Sequence, residues 1–421
     1  MARILYVVAG WLLLPLFVLR LAWRGVRQRG YWMRLGERFG CHAAAAPMPT
    51  IWLHAVSVGE TRACIPLVAA LRTQWPGYRL LLTHGTPTGF MTGRELFGEQ
   101  VQQAWVPFDE LFATRRFVRH FRPALGLVME TEIWPNLFAA CRSAGVPLVL
   151  VNARMSERSA RRYRLMAGLA RATLAPLCAV AAQTGADAER LRALGAQRVS
   201  VTGNLKFDIE PPAGQLALGE RWRAACAGRT VWLAASTREG EEALLLDALQ
   251  KMATADILLV LVPRHPQRFD AVARLIESRG LAYARRSVAV PDNASIRVWL
   301  GDSMGEMFAY YRMADLALIG GSLLPFGGQN LIEAAATGCP VMLGPHRWNF
   351  ARASQDALDC GAAAELADPA QLAQVAAGLL ADAPRLQRMR AAALVYSQQH
   401  RGAVQRVMPL LTECLRQEFM P

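Results

Sequence analysis

Five short apolar runs, at residues 51–53, 80–83, 124–129, 148–151 and 178–182, recur along the first half of the chain, with helical periodicity between them. They are rich in Val, Ile and Leu and lack a polar face. Strands buried on both sides read this way, and their alternation with helices predicts a parallel sheet. The pattern breaks at Glu210-Pro211-Pro212-Ala213-Gly214 and then restarts, with runs at 231–235, 257–262, 297–300, 316–319 and 341–343. The expected fold class is therefore α/β, with two Rossmann-like domains facing across a cleft and joined near residues 208–215. Residues 369–418 are amphipathic and helical, and are grouped with the second domain.

A different pattern precedes the first strand. Residues 4–19 are almost continuously apolar, interrupted by Gly10 and Pro15. A span needs ~17–25 such residues, so crossing the bilayer and lying in its interface both remain open. Arg20, Arg24, Arg27, Arg29, Arg34 and Arg38 follow, against Arg3 alone on the other side. That asymmetry predicts a membrane anchor with the body of the protein on the cytoplasmic side, its arginine collar resting on anionic lipids. The expected divisions are 1–40 (anchor and basic collar), 41–209 (first domain) and 210–421 (second domain), with a linker at 43–49.

Composition sharpens this picture. The chain has 421 residues, is 53% hydrophobic and carries a net charge of +14. Nearly all the cations are arginine, with Lys206 and Lys251 the only lysines. The charge points to anionic partners. Nucleic acid is not expected among them, because the arginines cluster at the membrane collar and at 154–171 without interleaved aromatics. The eight cysteines are scattered with no C-x-x-C, which predicts free buried thiols in a reducing compartment. No histidine spacing suits a metal, so no metal and no cofactor are expected. G-x-G-x-x-G after the first strand, G-x-x-x-x-G-K-[ST] and D-x-D are all absent. This argues against a dinucleotide oxidoreductase, a P-loop NTPase and a transferase that holds its donor through a divalent metal.

Candidate chemistry sits where strands end. Glu60 closes His54-Ala55-Val56-Ser57-Val58-Gly59-Glu60, after the run at 51–53. It is either a helix N-terminal charge or a catalytic base. Glu130 and Glu132 follow the run at 124–129, with Pro135 placed to open a helix. Lys206, in Thr202-Gly203-Asn204-Leu205-Lys206-Phe207-Asp208, ends the first half near the hinge. In the second half, Ser236 and Thr237 are expected to cap a helix, with Glu239 or Glu241 completing the cap. Arg264, His265 and Arg268 form a cationic group suited to a nucleotide. Met304, Gly305 and Glu306 lie in a turn after a strand. The stretch from Gly320 to Glu333 is glycine-rich and leads to Asn330, Leu331, Ile332 and Glu333 at a helix start, where amides can approach a phosphate and a carboxylate can accept ribose hydroxyls.

Taken in order, these pieces resemble the Kdo transferases of lipopolysaccharide synthesis. The resemblance also includes Arg34-Leu35-Gly36-Glu37-Arg38-Phe39-Gly40 and Asn152-Ala153-Arg154-Met155-Ser156, and runs over nearly the whole chain. It implies a membrane-associated, inverting glycosyltransferase of the two-Rossmann-domain (GT-B) type. Such an enzyme moves Kdo from a CMP-Kdo donor to a lipid A precursor. It further implies Glu60 as general base, Glu130 and Lys206 as stabilisers of the transition state, and Arg264, His265, Met304, Gly305, Glu306, Asn330, Leu331, Ile332 and Glu333 as CMP-binding positions. The chain departs from the family pattern at Gln329 and Arg238, where histidine is usual, and at Gly85, within a run usually rich in threonine. The competing expectations are another sugar-nucleotide enzyme, such as an epimerase, and a non-catalytic sugar-nucleotide-binding protein.

Overall fold

The computed structural model describes residues 2–43, 48–252, 256–292 and 294–417. Residues 44–47 of the expected linker lie outside that set. The chain divides into two units, one comprising Met1–Ile209 with Arg401–Pro421 and the other Glu210–His400. Each is built on a seven-stranded parallel sheet, in agreement with the α/β expectation.

In the first unit the strands are β1 (Thr50–His54), β2 (Arg79–His84), β3 (Gln102–Trp105), β4 (Pro123–Met129), β5 (Leu148–Ala153), β6 (Ala179–Ala182) and β7 (Val199–Val201). They lie in the order β3-β2-β1-β4-β5-β6-β7. Side chains alternate across the sheet. Ile51 and Leu53 enter one core, with Leu67 and Leu127, while Trp52 enters the other, with Phe117 and Leu137. Every residue of β1, β4 and β5 is buried, which is why the sequence shows continuous apolar runs there.

The second unit repeats the plan with β8 (Thr230–Thr237), β9 (Ile257–Pro263), β10 (Tyr283–Arg285), β11 (Val298–Leu300), β12 (Leu316–Ile319), β13 (Val341–Leu343) and β14 (Ala363–Glu365). Their order is β10-β11-β9-β8-β12-β13-β14. The two directions of the sheet part between β1 and β4 in the first unit and between β8 and β12 in the second. In open parallel sheets, ligands bind outside the carboxyl ends of the strands at such a switch point.

Two expectations need correction. The last helix, Ala403–Gln417, belongs to the first unit and not to the second. Val404, Val407, Met408 and Leu411 pack into the core beside Leu125 and Leu127. Asp208 receives the helix start, its carboxylate accepting the amides of Gly402 at 2.7 Å and Val404 at 2.6 Å. That return also joins two cysteines 236 residues apart, Cys178 before β6 and Cys414 in the helix, in a disulfide. The expectation of free thiols throughout fails for this pair, because sequence spacing carries no sign that the chain end comes back to β6.

The N-terminal helix runs Ala2–Arg27, longer than the apolar core read from the sequence. Its apolar side chains are exposed, Leu12 at 77% and Leu19 at 67%. Tyr6 donates to Asp109 at 2.7 Å, and the Trp11 indole donates to Glu110 at 3.1 Å.

Candidate functional site

The switch point of the first sheet brings together Glu60, which follows β1, and Glu130, which follows β4. Glu60 lies in the first turn of the short helix Val58–Ala63, whose N-cap is Ser57. The Ser57 hydroxyl accepts the Glu60 amide at 3.3 Å and donates to the Glu60 carboxylate at 2.9 Å. The other carboxylate oxygen accepts the Val56 amide at 2.7 Å. Glu60 is thus fixed by a variant of the capping box. Burial, joined by the repulsion of Glu130 and more weakly of Glu132, raises its pKa to about 7 against the hydrogen bonds that lower it.

Glu130 has φ +53°, a left-handed conformation that costs a residue other than glycine about 1–2 kcal/mol. Its surroundings hold it there. Its amide donates to Val151 at 3.0 Å, Thr131 donates to the Arg154 carbonyl at 2.7 Å, and the Lys206 ammonium donates to the Glu130 carboxylate at 2.9 Å. Both members of that ion pair are largely buried, with 15% and 21% of their side chains exposed. Glu132 accepts the Trp134 indole at 2.9 Å, and burial raises its pKa as well. Pro135 opens the helix Pro135–Ser143, as expected.

Lys206 owes its place to Asn152, at the end of β5. This residue is fully buried, has φ +53°, and accepts the Leu205 amide at 3.0 Å. Asparagine tolerates that conformation better than most residues. Asn204 then caps the turn by accepting the Lys206 amide at 3.0 Å. Asn152 has no assigned task among the expectations from the sequence. The available signal was an asparagine ending an otherwise apolar strand.

In the second unit the switch point between β8 and β12 faces the loop from Gly320 to Glu333. Here the cap expected at Ser236 and Thr237 is not formed. Strand β8 runs on through Thr237, and Gly240 precedes the helix Glu241–Lys251. Glu241 turns back instead, accepting the amides of Arg238 at 2.8 Å, Gly321 at 2.7 Å and Leu323 at 2.9 Å. A fully buried carboxylate therefore holds the glycine-rich loop from behind. Gly320 has no room for a side chain, since a Cβ would lie 2.4 Å from the Ser236 carbonyl oxygen.

The cationic group after β9 is partly neutralised. Arg268 donates to the buried Glu242 at 3.0 Å, so its charge is compensated within the unit. Arg238 takes up the vicinity, at 3.2 Å from His265 and with its guanidinium 4.7 Å from the Phe326 ring centroid. Burial, then the charges of Arg238, Arg264 and Arg268, push the His265 pKa down. Met304 is half-exposed, Gly305 has φ +80°, and Glu306 accepts Arg286 at 2.9 Å. Asn330 donates to Glu333 at 3.1 Å and accepts the Ile332 amide at 3.1 Å. Leu331 and Ile332 are buried, so they offer backbone and core packing rather than side chains. Among the described residues no group of three or more His, Cys, Asp or Glu is arranged to hold a metal ion.

This is the architecture of the two-Rossmann-domain (GT-B) glycosyltransferases. A crystal structure of a glycosyltransferase from Rickettsia africae ESF-5 shares the fold, with a TM-score of 0.59 over 87% of this chain and 99% of that one at 13% identity. The family model described as 3-deoxy-D-manno-octulosonic-acid transferase (kdotransferase) matches residues 33–209. The 3-deoxy-D-manno-octulosonic acid transferase of Bordetella pertussis is 45% identical over 99% of this chain and 100% of its own length. That of Haemophilus influenzae is 34% identical over 94% of this chain and 95% of its own. The chain belongs to the 3-deoxy-D-manno-octulosonic acid (Kdo) transferases and is a glycosyltransferase.

Proposed function

We propose that this chain transfers Kdo from CMP-Kdo to the lipid A precursor lipid IVA, with inversion, using Glu60 as general base and no metal in the transfer step. The observation that carries the reading is the Glu60 carboxyl, pinned by Val56 and Ser57 and brought to a pKa of about 7. A base for a sugar hydroxyl works best when its pKa matches the operating pH. In the transfer, the acceptor oxygen attacks the anomeric carbon of Kdo from the face opposite CMP. Its proton passes to Glu60. The bond from that carbon to the phosphate oxygen breaks, and CMP leaves as a phosphate monoester.

Lys206, oriented by Glu130, supplies a fixed positive charge for the Kdo carboxylate or the departing phosphate. In the second unit, Arg264 and His265 with the turn Met304, Gly305 and Glu306 engage CMP, while the Gly320–Gly321 amides approach phosphate. Asn330 donates, and the Glu333 carboxylate accepts, at the ribose hydroxyls, with Leu331 and Ile332 presenting backbone.

The reading places the enzyme at the inner membrane with both units on the cytoplasmic face. Support comes from the Arg3–Arg27 segment, 25 residues long and containing an 18-residue window of mean hydropathy 2.2. The bonds from Tyr6 and Trp11 to Asp109 and Glu110 hold the first half of the helix along the unit, which favours a helix lying in the interface over one that crosses.

The test is incubation of the full-length protein with CMP-Kdo and lipid IVA, with and without chelator, and mass spectrometry of the lipid. A mass increase of whole Kdo residues in both arms is expected, and it also counts the sugars added. No increase overturns the acceptor and donor assignment. Loss with chelator overturns the metal-free step.

A further inference from the structure

The segment Arg34-Leu35-Gly36-Glu37-Arg38-Phe39-Gly40 carries three acidic or basic side chains that no step above uses, Arg34, Glu37 and Arg38. Arg38 is 5% exposed, although it is a cation on a surface segment. Its guanidinium stacks on the buried Trp105 indole, 4.2 Å from the ring centroid. Its carbonyl accepts the Phe108 amide at 2.8 Å. The neighbouring Glu37 carboxylate accepts the Trp105 amide at 2.9 Å, and the Trp105 indole donates to the Met33 carbonyl at 2.7 Å. The segment is thereby clamped onto the edge strand β3.

What Arg38 reaches from that clamp is the loop after β2. Its Nη2 donates to the Gly85 carbonyl at 3.2 Å. The adjacent Thr86 hydroxyl donates to the Val56 carbonyl at 3.2 Å, and the Val56 amide donates to the Glu60 carboxylate at 2.7 Å. Gly85 also lies directly on Val56, since a Cβ at that position would come 2.3 Å from Val56 Cγ1. The glycine that departs from the family pattern is therefore what lets the two loops touch. Among the described residues no carboxylate lies at hydrogen-bond distance from the Arg38 guanidinium, so its burial is costly and is offset by the Trp105 ring and the Gly85 carbonyl.

We propose that Arg38 is a positioning residue for the Glu60 carboxylate. It fixes the Gly85–Thr86 loop, which fixes the Val56 peptide whose amide orients and partly acidifies Glu60. This rests on Glu60 being the general base. The relay also ties residues 33–40, the stretch following the N-terminal helix, to the reacting end of the unit.

The experiment uses full-length enzyme in detergent and follows kcat, KM for CMP-Kdo and the pH–rate profile of Arg38→Gln, Thr86→Val and Glu60→Gln. A displaced base costs roughly 10- to 100-fold in rate. That loss is expected in kcat for Arg38→Gln, with KM for CMP-Kdo unchanged. The Val56 amide lowers the Glu60 pKa, so loosening it moves the acid limb of the profile to higher pH, and Thr86→Val, which removes the bond to the Val56 carbonyl together with the cap of the helix Pro87–Phe97, moves it in the same direction. An acid limb that stays in place in both variants, or a loss confined to KM for CMP-Kdo, overturns the proposal. Glu60→Gln separates the two ideas. If it keeps the acid limb, the base assignment falls. If it loses the limb while the other variants leave it unmoved, only the relay falls.

Discussion

Replacing Glu60 by glutamine makes stability and activity move in opposite directions. The amide can keep both local contacts, accepting the Val56 amide through oxygen and donating to the Ser57 hydroxyl through nitrogen, so the substitution removes little besides the charge. In the native chain that charge is unfavourable, because burial and Glu130 raise the pKa from an ordinary 4.5 to about 7. At ~1.4 kcal/mol per pKa unit such a displacement corresponds to about 3 kcal/mol, which solvent screening of a partly exposed side chain reduces to about 1–2 kcal/mol. The sign follows from linkage. Below the unfolded pKa both states are protonated and the carboxyl costs nothing. As pH rises from there through the folded value, the unfolded state gives up its proton first, and native stability is lost until the folded group ionises as well. Glu60→Gln should therefore melt roughly 2–8 °C higher than the native chain at pH 8, at ~2–4 °C per kcal/mol for a unit of this size, with the difference closing by pH ~4.5. Thermal unfolding followed by circular dichroism at matched scan rates measures it. In the same preparation transfer should fall about 10²- to 10⁴-fold, the usual contribution of a general base. Equal stabilisation at both pH values would make the effect one of packing, and refute the electrostatic account. Full activity would remove Glu60 from the mechanism.

Other outcomes follow from the same geometry. Lys206→Met leaves the Glu130 carboxylate largely buried without its ammonium, and should cost about 1–3 kcal/mol by denaturant unfolding together with a loss of kcat. Lys206→Arg is not a conservative rescue there, because the planar fork does not replace a compact ammonium. Glu241→Ala strips the acceptor from the amides of Arg238, Gly321 and Leu323; the glycine-rich loop should loosen, and calorimetry should show CMP affinity falling at least tenfold, since charged hydrogen bonds contribute about 1.5–3 kcal/mol each. Asn152→Ala removes both the acceptor for Leu205 and a residue suited to φ +53°, and should destabilise the first unit by about 1–3 kcal/mol. His265 is pushed toward neutrality, so CMP affinity should be flat between pH 7 and pH 8 and not rise on acidification through that window.

Both sheets were legible in the sequence because their central strands are buried on two sides. The runs that announce β1, β4, β5, β8 and β9 are continuous apolar stretches, and periodicity reads those well. The strands that escaped are short and peripheral. Strand β7 has two exposed residues of three, and β10 has only partly buried ones, so neither leaves a hydrophobic signature. The place of the last helix escaped for a different reason. Its amphipathic face states that it packs, but not on which sheet. That choice is made by Asp208, an acid 194 residues before Gly402 whose partner is a backbone amide and therefore has no side-chain identity to read.

The same distinction governs the site. Side chains that act by their own chemistry stood out, since a carboxylate or an ammonium at the end of an apolar strand is conspicuous. Groups that work by holding another group did not. Glu241 looked like a cap, and Arg38 like one more arginine of a membrane collar, because their partners are the amides of Gly321 and Leu323 and the carbonyl of Gly85. Glu60 joins the two categories. A capping charge and a catalytic base were set against each other as readings of one residue, yet the contacts that make it a cap are the ones that hold the carboxylate still. Helix-end hydrogen bonds alone would lower its pKa, as they do for ordinary N-terminal carboxylates. Burial and the like charge of Glu130 outweigh them, and the difference between these two contributions is what sets the carboxyl near 7. A substitution that strengthened the cap without altering burial would therefore make Glu60 a better helix end and a weaker base.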